Sequence, residues 1–178
     1  MAEEKKEPWL NYLALTTIVF AVCATLSTLK GGGYATRSVM AQAQASDQWA
    51  YYQAKSIKGY VYDLQREKFI MDLNVLKPGL SSELAAEYKS KIENYNQKVN
   101  KYEDEKAEIM KKARELEMSR DDTQKHSGAL GVAAMFLQIA ILLSSIAALM
   151  KQKFFWYLGM VSGVVGMAYF FNGFYLFF

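Results

Sequence analysis

The order of polar and apolar positions divides the chain into three kinds of sequence. Leu10–Leu29 carries no charged side chain, Tyr34–Lys125 is densely charged, and beyond residue 127 the only charges are Lys151 and Lys153. Within the charged middle, Tyr88, Tyr95, Tyr102, Ile109 and Leu116 recur every seventh residue, and Ile92, Val99, Lys106 and Ala113 stand four places after the first four. One narrow apolar stripe on an otherwise wet surface predicts a long helix packed against a partner helix. A weaker stripe precedes it: Val39, Ala43, Ser46, Ala50, Gln53, Ile57, Tyr60, Leu64 and Met71 fall on one seam that Glu67 interrupts. Lys77-Pro78-Gly79 ends that pattern, since proline lacks the amide donor and glycine readily takes positive φ. Ser81 or Ser82, followed by Glu83, then offers an N-cap and a favourable first-turn charge.

Length favours a chain that folds back on itself. As helices, residues 35–75 would span about 60 Å and residues 80–125 about 68 Å, at roughly 1.5 Å per residue. Two nearly equal arms joined by a tight break predict an antiparallel helical (coiled-coil) hairpin over residues 35–127, with its turn at 77–79. With the turn centred on Pro78, Ala50 and Gln53 fall opposite Lys106 and Tyr102, which places a register-fixing polar layer inside the hairpin.

The flanks belong in a lipid bilayer. Residues 1–9 form a short charged tail, in which Pro8 suits a first helical turn and Trp9 the water–lipid boundary. Residues 10–29 are long enough to span the hydrocarbon core; the acids in the tail and the length of the run favour a retained anchor over a cleaved signal peptide. Its threonines, 16, 17, 25 and 28, can bond back to their own helix. Residues 30–34, with Gly31-Gly32-Gly33, are expected to break the helix as a joint. A second span follows at 128–150, with Gln138 as its one strongly polar side chain, expected to face another helix. Residues 151–153 form a minimal turn, and 154–178 a third span. Its Gly159, Gly163 and Gly166 include the four-residue spacing that lets helix backbones approach closely. The fold class is therefore an all-α membrane protein, three transmembrane helices plus a long antiparallel hairpin between spans 1 and 2.

Composition narrows the chemistry. The net charge of +3 is small, and residues 34–127 hold 16 Lys/Arg against 15 Asp/Glu, a solvated helix face rather than a nucleic-acid surface. The single cysteine, Cys23, leaves no partner for an internal disulfide or a cysteine zinc site. The glycine run lacks a preceding strand and a following Gly-Lys-Ser/Thr, so it is no phosphate loop. His126 has Asp121, Asp122 and Ser127 as sequence neighbours, but on a helix end these do not make a triad. No catalytic residue, cofactor or metal site is expected, nor a small-molecule substrate. Lysines in the short segments at both ends of one membrane side predict a cytoplasmic N-terminus, with the hairpin across a bacterial inner membrane, on the periplasmic side.

Three blocks carry a resemblance to a known family: Trp9–Thr17 with Leu29–Gly33, Ser46–Lys58, and Leu137–Ile141 through Trp156-Tyr157 and Asn172-Gly173. The chain resembles the bacterial membrane proteins of the domain of unknown function 4337 family. The resemblance implies membrane location and helical architecture, and no activity.

Trp49, Tyr51 and Tyr52 cannot share one helix face, so aromatics are expected outside the hairpin seam, on a second contact surface, either a neighbouring hairpin or the hairpin's own flank. Together with Gly159, Gly163 and Gly166, they point to a homo-oligomeric structural or scaffolding assembly in the bilayer. The second reading is a subunit of an oligomeric channel or transporter, with Gln138, Asn172 and the span threonines lining a path.

Overall fold

The computed structural model describes residues 8–76 and 81–177, and among these it is all-helical, without strands. Helix α1 runs Pro8–Leu76, α2 runs Ser82–Met150 and α3 runs Lys153–Tyr175. Each holds a stretch long and apolar enough to cross a membrane. The Lys77-Pro78-Gly79 turn and residues 1–7 of the tail lie outside the described residues.

Helix ends follow local chemistry. The Ser81 hydroxyl accepts the Leu84 amide at 3.3 Å, and Glu83 sits in the first turn of α2, where its charge meets the positive end of the helix dipole. At the other end Lys151 takes φ 52°, and the Gln152 amide returns to the Ala147 carbonyl at 3.2 Å. This left-handed cap lets α3 begin at Lys153, one residue earlier than expected.

The glycine joint does not form: residues 30–34 are helical inside α1, and no described glycine has positive φ. Three glycines weaken a helix, each by about 1 kcal/mol relative to alanine, but Gly31 is held by its neighbour. A Cβ there would stand 3.2 Å from the Leu130 Cβ, and the Ser127 hydroxyl donates to the Gly31 carbonyl at 3.0 Å. Close approach, not flexibility, is what this glycine provides.

The chain divides into two compact units, Met1–Met40 with Ser119–Phe178, and Ala41–Met118. The first is a three-helix packing unit. Phe20, Ala24, Leu137 and Ala140 form one buried cluster; Trp9, Leu13 and Ala147 form another, against Phe155 and Trp156. Helix α3 fits against α2 through glycines at a seven-residue period. Gly159 meets the Ala140 carbonyl, Gly166 meets Leu137 and Gly173 meets Leu130, so rising numbers on α3 pair with falling numbers on α2. A Cβ at Gly166 would lie 2.8 Å from the Leu137 Cγ, and one at Gly173 2.5 Å from the Leu130 Cγ. Gly163, on another side of α3, leaves room for the Phe20 ring of α1. Polar bonds join the same helices: Ser162 Oγ donates to the Phe136 carbonyl at 2.8 Å and Trp156 Nε1 to Thr16 Oγ1 at 3.4 Å.

In the second unit the α2 stripe lies where its period put it. Tyr88, Ile92, Tyr95, Val99, Tyr102, Lys106, Ile109, Ala113 and Leu116 are all buried or half-buried. The α1 stripe is rotated away from its expected face. Val39, Ala43, Ser46, Ala50, Gln53, Ile57, Tyr60, Leu64 and Met71 are exposed; α2 instead meets Tyr52, Gly59, Tyr62 and Phe69, and Ala41 and Ala45 are buried. The reason is ring packing. Aromatic side chains each bury about 150–250 Å², and the three tyrosines of α2 need rings to stack on and small residues to fit past. The α1 face that carries Tyr62 and Phe69 beyond the small residues Ala41, Ala45 and Gly59 supplies both.

Candidate interaction surfaces

The inner surface of the second unit is an aromatic ladder. Tyr62 sits between Tyr102, at 5.5 Å, and Tyr95, at 6.0 Å; one heptad on, Phe69 sits between Tyr95, at 5.5 Å, and Tyr88, at 5.8 Å. Lysines roof the rings, with Lys98 Nζ 5.2 Å from Tyr62 and Lys91 Nζ 5.7 Å from Phe69. Contacts run in opposite chain order, from Trp49 with Glu117 to Phe69 with Tyr88.

Polar groups line the seam beside the rings. Lys106 is buried, donates to Glu103 Oε1 at 2.6 Å and lies about 6 Å from the Tyr52 and Tyr60 rings. The Glu103 carboxylate raises the Lys106 ammonium above its ordinary range. Lys55 bonds Glu105 across the seam, which raises the lysine and holds the Glu105 carboxyl below its usual range. Arg66 reaches Asn96 at 3.3 Å. This replaces the expected polar layer, because Ala50 and Gln53 are exposed and do not oppose Lys106 and Tyr102.

The expected contact residues separate into used and open. Trp49 is half-buried and its Nε1 donates to Glu117 Oε1 at 2.9 Å; Tyr52 meets its ring edge-on at 5.6 Å. Both serve the pairing of α1 with α2 rather than an outside surface. Tyr51 is 50% exposed, with Lys55 Nζ 5.3 Å from its ring. Gly159, Gly163 and Gly166 are buried by the chain's own Ser144, Phe20 and Leu137, so their face is already occupied. Gln138 is exposed on α2, and among the described residues no neighbouring helix covers it.

His126 has a structural setting. Its Nδ1 lies 2.8 Å from the Gly173 carbonyl, its ring stacks on Tyr34 at 4.7 Å, and Asp122 is 3.9 Å from Nε2. Ser127 is turned to Gly31 instead, so Asp122 neighbours the histidine but the serine does not join them. Among the described residues no group of three or more His, Cys, Asp or Glu is placed to hold a metal ion.

What sequence reading missed is the open face of α1. Ile57 is 64% exposed, Leu64 64%, Met71 61% and Val75 75%, although each is as apolar as a core residue. The signal was present, since α1 carries apolar residues in two heptad phases, one of which must remain outside once α2 has taken the other.

Among the described residues these features define an all-helical protein with three helices long and apolar enough for a membrane and an open apolar stripe on the charged part of α1. The family model for a domain of unknown function (DUF4337) matches residues 9–176, and the chain belongs to that family. No curated protein and no solved structure matches it.

Proposed function

We propose that this is a membrane-anchored helical hairpin that self-associates into a structural or scaffolding assembly. The observation that carries the reading is the exposed stripe of α1, where Ile57, Leu64 and Met71 recur at heptad spacing outside the seam with α2. An apolar row of that length on a charged helix marks a contact surface. Gln138 adds to it, because an uncovered amide in an apolar span gains a hydrogen bond when another helix meets it. In this reading the charged arms stand outside a bacterial inner membrane, on the periplasmic side, with the N-terminus cytoplasmic.

The channel reading gains less support. The hydroxyls of Thr17, Thr25 and Thr28 bond back to carbonyls four residues earlier, at 2.7–3.0 Å, and Thr16 bonds one three residues earlier at 3.0 Å. They offer little to a polar path. The test is native mass measurement of the detergent-extracted full chain. A multimer is the expected result, and a particle of one chain at all concentrations contradicts the reading.

A further inference from the structure

Helix α1 leaves its uncharged stretch through two cations. Between residues 8 and 46 its charged side chains are Lys30 and Arg37 alone, and its next charge is Asp47. Both cations are exposed, and among the described residues neither has a carboxylate within ion-pair distance. The α2 acids nearest in height are engaged elsewhere, Asp121 with Arg120 at 2.7 Å and Asp122 beside His126 at 3.9 Å.

Gly33 makes a seat between the two. Leu29, Lys30, Gly33, Tyr34 and Arg37 line an open groove of about 280 Å³. Lys30 and Arg37 stand about two helical turns apart, roughly 10.5 Å along the axis, so both leave α1 from one face. Midway, a Cβ on Gly33 would have nothing within 4 Å, so the backbone there is open. Tyr34 forms the side wall, its ring held 4.7 Å from the His126 ring. Toward the uncharged stretch the same face continues as Val22, Leu26 and Leu29, exposed by 54%, 41% and 70%.

We infer that this groove binds the phosphate of an anionic phospholipid, with an acyl chain lying along Val22, Leu26 and Leu29. The inference rests on the membrane-anchored reading and not on self-association. Arg37 offers a fork of N–H donors that matches two phosphate oxygens, and Lys30 a compact charge on a flexible stem. Each basic side chain at a membrane surface strengthens attachment to anionic lipid about fivefold. The phosphate thus meets two cations, and the chain attached to it meets apolar side chains on the bilayer side. A second copy suits the groove less well. Copies anchored in one bilayer carry Lys30 and Arg37 at the same height, so like faces would meet cation to cation. Lys125 provides the comparison within the chain. Ser127 bonds Gly31 and Ser38 bonds Arg120, which sets Lys125 level with Gly33. It is equally exposed, but the groove it lines between α2 and α3 holds no second cation.

Native mass measurement of the full chain in neutral detergent, titrated with phosphatidylglycerol or phosphatidylcholine, tests the site. The expected result is a phosphatidylglycerol adduct with an apparent Kd about fivefold below that of phosphatidylcholine. Lys30→Gln and Arg37→Gln should each weaken it about fivefold, and Gly33→Leu, which fills the groove without changing charge, as much again. Lys125→Gln, at the same height, should change it by less than about twofold, and circular dichroism should show equal helicity throughout. Equal binding of the two lipids overturns the inference. So does an equal loss in Lys125→Gln, which would mark a diffuse basic collar, or an unchanged Kd in Gly33→Leu. A lipid fully displaced by equimolar inorganic phosphate marks a free-anion site and overturns the lipid. A chain recovered without detergent in the soluble fraction removes the membrane reading and the site together; a membrane-extracted chain with no lipid preference removes the site alone.

Discussion

The Tyr62 ring of α1 lies over the Tyr102 ring of α2, centroids 5.5 Å apart and planes 19° from parallel. Tyr95 stands on its other side, and the Phe69–Tyr88–Tyr95 contact repeats the arrangement one heptad along. A seven-residue period on both helices turns two unremarkable sequences into a continuous stack. The stack determines which face of α1 is inside, and so which face is left outside.

Tyr62→Ala removes two ring contacts, each worth about 0.5–1.5 kcal/mol beyond its buried area. The expected loss is about 1–3 kcal/mol in the unfolding free energy of the full chain, followed by far-UV circular dichroism in denaturant. Tyr51→Ala, at a half-exposed ring, should stay within about 0.5 kcal/mol of the parent. Equal losses for the two would contradict the assigned face.

The glycines should respond in opposite senses. Gly32 has nothing within 4 Å of where a Cβ would be, so Gly32→Ala should stabilise α1 by roughly 0.5–1 kcal/mol. At Gly166 a Cβ would lie 3.0 Å from the Leu137 backbone nitrogen as well as against its side chain, and Gly166→Ala should cost about 1–3 kcal/mol. Thermal unfolding of the detergent-solubilised variants reads both. A joint at residues 30–34 would instead make Gly32→Ala neutral or harmful.

Ion pairs across and along the seam set the pH response. Lys55 lowers the Glu105 pKa from an ordinary value of 4.5, so that contribution is present above pH 4.5 and is lost as pH falls through the lower folded value. Glu103 and Glu105 raise Lys106 and Lys55 from 10.5, so theirs is present below pH 10.5 and is lost as pH rises through the higher folded values. The melting temperature should form a plateau between these limits and fall on both sides. Glu105→Gln should lower the plateau and flatten its acid limb. An unchanged acid limb would show that the Lys55–Glu105 pair does not contribute.

Much of this fold was legible because its apolar residues stand alone in charged sequence. On α2 only one heptad phase is apolar, so Tyr88 to Leu116 could be assigned to a face by counting. Helix α1 has two such phases, and counting cannot say which one a partner takes. The choice depends on the fit of Tyr62 and Phe69 between tyrosines some thirty positions away, a relation between helices that no single period encodes. The same holds for α3. Gly159 and Gly163 were visible as a close-packing pair, but the Gly159–Gly166–Gly173 row has meaning only against Leu130 and Leu137 on α2. The glycine joint was misread because propensity considers a residue's own cost, whereas Gly31 is kept helical by contact with Leu130.

The central claim is that copies of this chain meet through the outer face of α1. The double variant Ile57→Glu with Leu64→Glu places two charges where both side chains are 64% exposed, so the helix itself should be undisturbed. The most direct measurement is the native mass of that variant beside the parent in the same detergent, with circular dichroism on each. The account predicts a multimeric parent and a monomeric variant of equal helicity; a variant that stays multimeric would contradict it.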